Sequence, residues 1–208
     1  MQTVALIDYG SGNLRSAEKA LAEAGRRAGV EVRVTADPDV VRRADRVVLP
    51  GVGAFASCRA GLDAATGMVD AMTEAVQARG APFLGVCVGM QLLADRGLEF
   101  GETPGLGWVP GEVRRLEPVG DLPVPHMGWN VVEPARANAL LGGDDAMYFA
   151  NSFAFHAAEP ADVAGWSDHG GRFVAAVQRD NVAGVQFHPE KSQAAGLALL
   201  ARFLEWRP

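Results

Sequence analysis

Cysteine is scarce in this sequence: of 208 residues only two, Cys58 and Cys87, are cysteines. So few cysteines in a chain of this length exclude a fold held together by a disulfide framework, and they favour a reducing compartment such as the cytoplasm. A chain this long buries roughly 70% of its unfolded surface and therefore needs no cross-links to fold.

Long apolar runs and an excess of basic residues are missing as well. The apolar runs fall well short of a membrane span, and the opening MQTVALIDYG lacks the basic lead and cleavage site of a signal peptide. The formal net charge is −6 and the pI about 5.2, so the chain has no electrostatic attraction for a phosphate backbone. We therefore expect a cytoplasmic protein that binds neither a membrane nor nucleic acid.

Short apolar runs alternate with helical patterns in the first half of the chain. The runs predicted as strands are residues 3–7, 30–35, 46–49 and 82–86. Between the first two runs, apolar residues at helical spacing from Leu14 to Ala24 predict a helix, with Asn13 as its cap. Strands that alternate with helices predict an α/β fold with a central, mainly parallel sheet flanked by helices.

The second half has a different pattern, rich in glycine and proline at first and then in short strands. The predicted strands are residues 111–115, 130–132, 147–153, 172–178 and 182–187, the last two joined by a turn at 179–181. A closing helix is expected over residues 194–206, with Ser192 as a possible cap. We therefore expect an added antiparallel layer, and a single domain over residues 1–208.

The segment around Cys87 predicts a nucleophile. An apolar strand runs into Gly-x-Cys-x-Gly and then into a helix predicted over residues 90–96, which is the cysteine counterpart of the Gly-x-Ser-x-Gly nucleophile elbow. The flanking glycines remove Cβ atoms that would clash in a sharp turn, and the helix N-terminus favours a thiolate. The Val88 N–H, just after the cysteine, is placed to bind an oxyanion. The alternative for Cys87 is a buried structural cysteine, which a cysteine in an apolar strand more often is. Cys58 lacks the flanking glycines, is predicted to lie on a helix, and is interpreted as structural.

His188 is the best candidate for the base that a cysteine nucleophile needs. It ends an apolar strand and is followed by Pro189 and Glu190. Residues i and i+2 of an extended chain point the same way, so His188 and Glu190 can both face the cleft, where the carboxylate would fix the imidazole tautomer. The alternative is a surface histidine beside an unrelated glutamate. His126 can be functional or satisfied by backbone, His169 is typical of a solvated turn, and His156 is uninformative.

Glycine-rich turns follow two of the predicted strands. Residues 8–13 lack the full Gly-x-Gly-x-x-Gly pattern, so they support a dinucleotide site only weakly. Residues 50–53, Pro-Gly-Val-Gly, either present backbone N–H groups to an oxyanion or form a plain strand-to-helix connection. Such loops meet at the carboxyl edge of a parallel sheet, where Cys87 should also lie, and this favours the functional interpretation.

Together these motifs resemble the class I, triad-type glutamine amidotransferase family, and more narrowly the glutaminase subunits of imidazole glycerol phosphate synthases. The resemblance rests on residues 8–16, 49–55, 84–91, 125–130 and 184–192. The cysteine motif and the His-Pro-Glu segment mark the superfamily. The opening Asp-Tyr-Gly-Ser-Gly-Asn and the Pro-His-Met-Gly-Trp-Asn segment narrow it to these subunits.

The resemblance implies a flavodoxin-like fold and a glutaminase reaction. Cys87 would attack the side-chain amide of glutamine, His188 would pass a proton to the departing ammonia, and Glu190 would orient His188. The backbone N–H groups implied for the oxyanion hole are those of Val52, Gly53 and Val88. The residues implied for glutamine binding are Gln91, Glu99, Asn151, Ser152 and Phe153.

The resemblance also implies a partner. Ammonia would pass through a (β/α)8-barrel cyclase subunit, in a heterodimer that makes imidazole glycerol phosphate and AICAR from the ribulosyl nucleotide PRFAR. The free glutaminase would be nearly silent, and a reorientation of residues 50–53 would complete the oxyanion hole on activation. The resemblance implies no metal and no organic cofactor.

One segment departs from the family pattern. Where the family has Tyr-Phe-Val-His-Ser-Tyr, residues 148–153 place Asn151 and Phe153 at the histidine and second tyrosine positions. The change is expected to affect glutamine affinity or activation. Three alternatives stay open: a glutaminase for another synthase, such as that of pyridoxal phosphate; a non-catalytic regulatory subunit; and a thiol hydrolase on the same sheet.

Overall fold

The computed structural model describes residues 2–208 of the chain. The strands are β1 (Gln2–Ile7), β2 (Val30–Thr35), β3 (Arg46–Leu49), β4 (Phe83–Val86), β5 (Arg96–Gly97), β6 (Thr103–Pro104), β7 (Gly111–Arg115), β8 (His126–Pro134), β9 (Asp145–Asn151), β10 (Phe153–Ala157), β11 (Val163–Asp168), β12 (Arg172–Arg179) and β13 (Val182–Val185). The α-helices are α1 (Leu14–Ala24), α2 (Pro38–Arg43), α3 (Phe55–Ala64), α4 (Met68–Thr73), α5 (Val88–Gln91) and α6 (Gln193–Glu205). Among the described residues, no helix is both long and apolar enough to cross a membrane.

Five parallel strands form one half of the sheet, in the order β2-β1-β3-β4-β13. Every residue of β3, β4 and β13 is buried. Since successive side chains of a strand point to opposite faces, this burial means that both faces are covered. The predicted parallel sheet is confirmed, and its carboxyl edge gathers the loops that follow β1, β3 and β4.

The other half of the sheet is antiparallel except for the parallel pair β5–β7, and it is joined to the first half through β13 and β12. These two strands form the predicted hairpin, with Asp180 in the turn at a φ of 50°. The order continues β12-β10-β7-β5-β6, and β11, β8 and β9 branch from β12. The predicted antiparallel addition is therefore confirmed. The predicted strand over residues 147–153 is divided at Ser152 into β9 and β10.

The helix after Cys87 is shorter than predicted, covering Val88–Gln91 and not residues 90–96. The backbone N–H groups of residues 106–109 donate to the carbonyls of Leu92, Leu93 and Ala94, which a longer helix would need for its own hydrogen bonds. Asn13 and Ser192 occupy the N-cap positions of α1 and α6, as predicted, but neither makes a side-chain cap hydrogen bond. The chain after α5 is instead a loop that brings Glu99 back toward Cys87.

Candidate active site

Cys87 occupies the sharp turn between β4 and α5. Its φ of 55° and ψ of −113° lie in a region that side chains other than glycine rarely adopt. The flanking glycines are required by close approach of the backbone. A Cβ on Gly85 would lie 2.5 Å from the Gly89 carbonyl oxygen, and a Cβ on Gly89 would lie 1.9 Å from that of Leu49. The strain and the glycines together fit a nucleophile elbow.

His188 and Glu190 form a buried pair next to this turn. The His188 Nδ1 lies 2.9 Å from the Glu190 Oε1, and both side chains are 4% exposed. The backbone around them is anchored, since the His188 N–H donates to the Tyr148 carbonyl and the Ser192 hydroxyl donates to the His188 carbonyl. The Nδ1 of the imidazole is thus hydrogen-bonded to the Glu190 carboxylate, and the ring also interacts with the Cys87 sulfur.

The charge state of His188 is set by opposing effects. Burial lowers its pKa, but hydrogen bonds and coulombic attraction from the Cys87 sulfur and the Glu190 carboxylate outweigh burial and raise the pKa to about 9. The imidazole is therefore protonated at neutral pH, with a carboxylate on one side and the sulfur on the other. A cationic histidine beside a cysteine is the arrangement that activates thiol nucleophiles.

A cavity of about 350 Å³ opens over Cys87, within the range of small-molecule sites. Its lining includes every predicted site residue except Glu190: Cys87, His188, Val52, Gly53, Val88, Gln91, Glu99, Asn151, Ser152 and Phe153. Glu190 lies behind His188 and acts on the cavity only through the imidazole. Lys191 also lines the cavity and was not among the predicted residues.

Two of the three N–H groups predicted for the oxyanion hole, those of Val52 and Val88, are engaged within the protein. The Val88 N–H donates to the Gly51 carbonyl at 3.3 Å, and the Val52 N–H donates to the Ser11 hydroxyl at 3.1 Å. In this conformation neither N–H is free to bind a ligand oxygen. Their role as oxyanion donors stays a prediction, and it requires the loop of residues 50–53 to move.

Three side chains hold that loop, and sequence reasoning missed all of them. The Ser11 hydroxyl donates to the Val52 carbonyl at 2.8 Å while it accepts the Val52 N–H. The Cys58 sulfur lies 3.3 Å from both the Ser11 hydroxyl and the Val52 carbonyl. The Tyr9 hydroxyl donates to the Pro50 carbonyl at 2.7 Å, and burial, followed by the nearby Cys58, raises the tyrosine pKa far above its ordinary range. Tyr9 is thereby kept as a neutral donor.

Two of the residues predicted to hold glutamine, Gln91 and Glu99, already have hydrogen-bond partners within the protein. The Gln91 amide nitrogen donates to the Phe153 carbonyl at 3.1 Å and to the Gln186 Oε1 at 2.9 Å. Glu99 accepts the Phe55 N–H at 2.7 Å, at the start of α3. The Asn151 Oδ1, by contrast, is buried and without a partner, which suits it to accept an N–H from a bound ligand.

The remaining histidines lie away from Cys87. His126 is buried between the rings of Phe149 and His169, whose centroids are 5.0 and 4.2 Å from its own. Burial, with a contribution from His169, lowers the His126 pKa to about 4, so this ring is neutral. His169 is half-buried against it, more enclosed than the solvated turn that we expected. Within the described part of the chain, no group of three or more His, Cys, Asp or Glu side chains is arranged to hold a metal ion.

Comparison with known proteins gives three consistent results. The family described as glutamine amidotransferase class-I matches residues 5–206. The chain is 67% identical to the imidazole glycerol phosphate synthase subunit HisH of Caulobacter vibrioides over 100% of both chains, and 55% identical to that of Rhodospirillum rubrum over 99% of both. A crystal structure of a glutamine amidotransferase matches with a TM-score of 0.72 over 97% of each chain, and at 20% identity it supports the fold alone.

Proposed function

The chain belongs to the class I glutamine amidotransferase family, and from this premise we propose that it is the glutaminase subunit of imidazole glycerol phosphate synthase. It hydrolyses glutamine to glutamate and ammonia. The observation that carries the proposal is the buried His188–Glu190 pair, 2.9 Å apart, beside a strained cysteine turn in a cavity of about 350 Å³. The full-length similarity to HisH subunits supports the narrower assignment.

The geometry supports a double displacement on the amide carbon. The Cys87 thiolate attacks that carbon, and the carbonyl electron pair moves onto the oxygen. His188 gives its proton to the nitrogen as the C–N bond breaks, which releases ammonia and leaves a glutamyl thioester. Neutral His188 then takes a proton from water, the resulting hydroxide attacks the thioester, and glutamate leaves as the thiolate reforms. Glu190 orients the imidazole and stabilises its charged form throughout.

We further propose that the loop of residues 50–53 switches this reaction on. The oxyanion needs N–H donors, and those of Val52 and Val88 are turned to Ser11 and Gly51 in this conformation. Rotation of the Gly51–Val52 peptide would turn the Val52 N–H away from Ser11 and the Gly51 carbonyl away from Val88. Both N–H groups would then be free. A resting chain with its donors engaged fits a glutaminase that is nearly silent until its partner binds.

Replacing Ser11 by alanine is expected to raise glutamate release by the free chain. The hydroxyl makes two hydrogen bonds to the Val52 peptide, and their loss favours the open loop by roughly 1–2 kcal/mol, or about 5- to 30-fold in rate. Steady-state glutamate release without a partner measures the effect. Ser57→Ala, an exposed serine on α3, is the matched control and should leave the rate unchanged. A free-chain rate that stays at the wild-type value in Ser11→Ala would refute the switch.

We propose that the partner, a (β/α)8-barrel cyclase subunit, docks on the β8–β9 hairpin to form a heterodimer. Met127, Trp129 and Val131 alternate along β8, so they share one face, and they are 65, 49 and 46% exposed. Tyr148 lies opposite Trp129 on β9, and Lys191, which lines the cavity, lies 5.8 Å from the Tyr148 ring. This apolar stripe thus adjoins the cavity mouth, where a partner could receive ammonia without its release to water.

Replacing Trp129 by alanine is expected to weaken the complex with the cyclase by about 10- to 30-fold in Kd, because exposed tryptophans at the centre of an interface carry much of its affinity. Titrating the cyclase, with its nucleotide substrate present, and following glutamate release gives the Kd. Val34→Ala removes an exposed apolar side chain from β2, at the opposite edge of the sheet, and should leave the Kd unchanged. Equal Kd values for Trp129→Ala and the wild type would place the interface elsewhere.

A non-catalytic regulatory subunit is the second candidate, favoured by Asn151 and Phe153 and by the engaged oxyanion donors. Glutamate release by the chain, alone and with the cyclase and its nucleotide, separates the two. Strong release only with the liganded cyclase supports the glutaminase. No release in either case supports the regulatory subunit, and activation by a different ammonia-dependent synthase would change the pathway.

We also propose that residues 1–208 act as one domain in the cytoplasm. Cys58 and Cys87 are both free thiols, as a reducing compartment favours.

A further inference from the structure

Gln186 is completely buried at the site and takes no part in the bond changes of the glutaminase reaction. It follows β13 and precedes His188 by two residues, and its backbone N–H donates a hydrogen bond to the Ala175 carbonyl at 2.8 Å. Its side-chain Nε2 lies 3.7 Å from the Cys87 sulfur, a hydrogen-bonding distance for a sulfur acceptor. A neutral donor therefore faces the nucleophile in addition to the His188 imidazole.

The orientation of this amide is dictated by a chain of contacts that begins at a backbone carbonyl. The Phe153 carbonyl can only accept, so the Gln91 group that meets it at 3.1 Å must be the NH₂. The same NH₂ lies 2.9 Å from Gln186, which must therefore present its oxygen to Gln91. The NH₂ of Gln186 is then left facing Cys87. Reversing the Gln186 amide would set two NH₂ groups against each other and turn an oxygen toward the sulfur.

We propose that Gln186 is a positioning residue that stabilises the Cys87 sulfur as a thiolate and aims it at the substrate, with Gln91 and the Phe153 carbonyl fixing its amide. Cys87 is 4% exposed, so water contributes little to the solvation of its sulfur. A buried negative charge needs donors from the protein, and a charged acceptor makes the stronger hydrogen bond. Gln186 supplies one that does not titrate.

The same contact acts at two points of the reaction. Before attack, it favours the charged sulfur that can form the S–C bond. When the thioester is hydrolysed, the S–C bond breaks, the electron pair returns to sulfur, and the Gln186 NH₂ again meets a thiolate. The turnover consequence rests on the proposed glutaminase function, whereas the thiolate itself can be measured without glutamine.

The test is the pH profile of Cys87 alkylation by iodoacetamide in the full chain. Gln186→Met keeps the length of the side chain but removes the donor. We expect the midpoint of the profile to rise by about one pH unit and alkylation at neutral pH to slow by about tenfold. Gln178→Met, on the neighbouring strand β12, removes an amide that does not meet the sulfur and should leave the profile in place. Peptide mass mapping separates Cys87 from Cys58, which is 1% exposed and reports unfolding when it reacts.

A second variant keeps the test decisive if Gln186→Met exposes Cys58. Gln91→Met leaves Gln186 in place but removes the donor that orients it, so the midpoint should rise by a smaller amount. A midpoint that stays at the wild-type value in a folded Gln186→Met chain, or in Gln91→Met where the first variant unfolds, overturns the proposal. If the midpoint shifts as expected while the wild-type complex releases no glutamate, the role of Gln186 stands and the proposed function fails.

Discussion

Replacing Cys87 by alanine will abolish glutamine-dependent synthesis by the complex while the cyclase still turns over with added ammonium. Without the sulfur no thioester can form, and loss of a nucleophile costs about 10⁴-fold or more in turnover. The cavity wall keeps its shape, because alanine is smaller and Cys87 lies in a turn fixed by Gly85 and Gly89. In the proposed complex the ammonia-accepting site belongs to the cyclase, so Cys87→Ala should leave the ammonium-driven turnover unchanged.

The measurement compares product formation by the same complex with glutamine and with an ammonium salt. Loss of both activities would contradict the proposal that this chain acts only as the ammonia donor. A glutamine-mimicking electrophile provides the matched control: it should label Cys87, which lines the cavity, and spare Cys58, which is buried on α3. Labelling at Cys58 would contradict the assignment of the nucleophile.

The residues proposed to carry the chemistry could be singled out from the sequence because their signals are local. Gly85 and Gly89 stand two residues before and two residues after Cys87, where the backbone leaves no room for a Cβ. This requirement for glycine is visible in the sequence itself. The His188–Glu190 pair follows from spacing and an intervening proline. The alternation of apolar runs and helical patterns likewise predicted the parallel half of the sheet.

What the sequence could not reveal depends on contacts between distant segments. Ser11 and Val52 are far apart in the chain, and nothing local indicates that the serine holds the Val52 peptide. The helix after Cys87 ends early because residues 106–109 take its carbonyls, which is again a long-range effect. The sequence could have predicted that Gln186 faces the cleft, since it precedes His188 by two residues in an extended segment. It could not have predicted that the amide donates to the Cys87 sulfur, because the contact with Gln91 sets the orientation of that amide.

Replacing Glu190 by glutamine will lower glutamate release by the complex by about 10²- to 10⁴-fold. The amide keeps the shape but offers His188 no negative charge and can turn an NH₂ toward Nδ1, which favours the wrong tautomer. The variant also loses a hydrogen bond and a coulombic attraction that raise the His188 pKa. Less imidazolium is then present at neutral pH to protonate the departing nitrogen. Glu205→Gln makes the same charge change at an exposed position on α6 and should retain wild-type release.

The same substitution makes a prediction about stability that does not involve glutamine. His188 has a folded pKa of about 9 against an ordinary 6.5, so its contribution is fully present below pH 6.5 and is lost as the pH rises through 9. The wild-type free energy of unfolding should therefore fall across this window, by on the order of 3 kcal/mol. Glu190→Gln reduces the difference between the folded and unfolded pKa values of His188, so the free energy of unfolding of the variant should fall less over the same pH range. Urea unfolding between pH 6 and 10 measures both falls. An equal fall in both proteins would mean that Glu190 does not hold the proton on His188, and would contradict its role in the proposed triad.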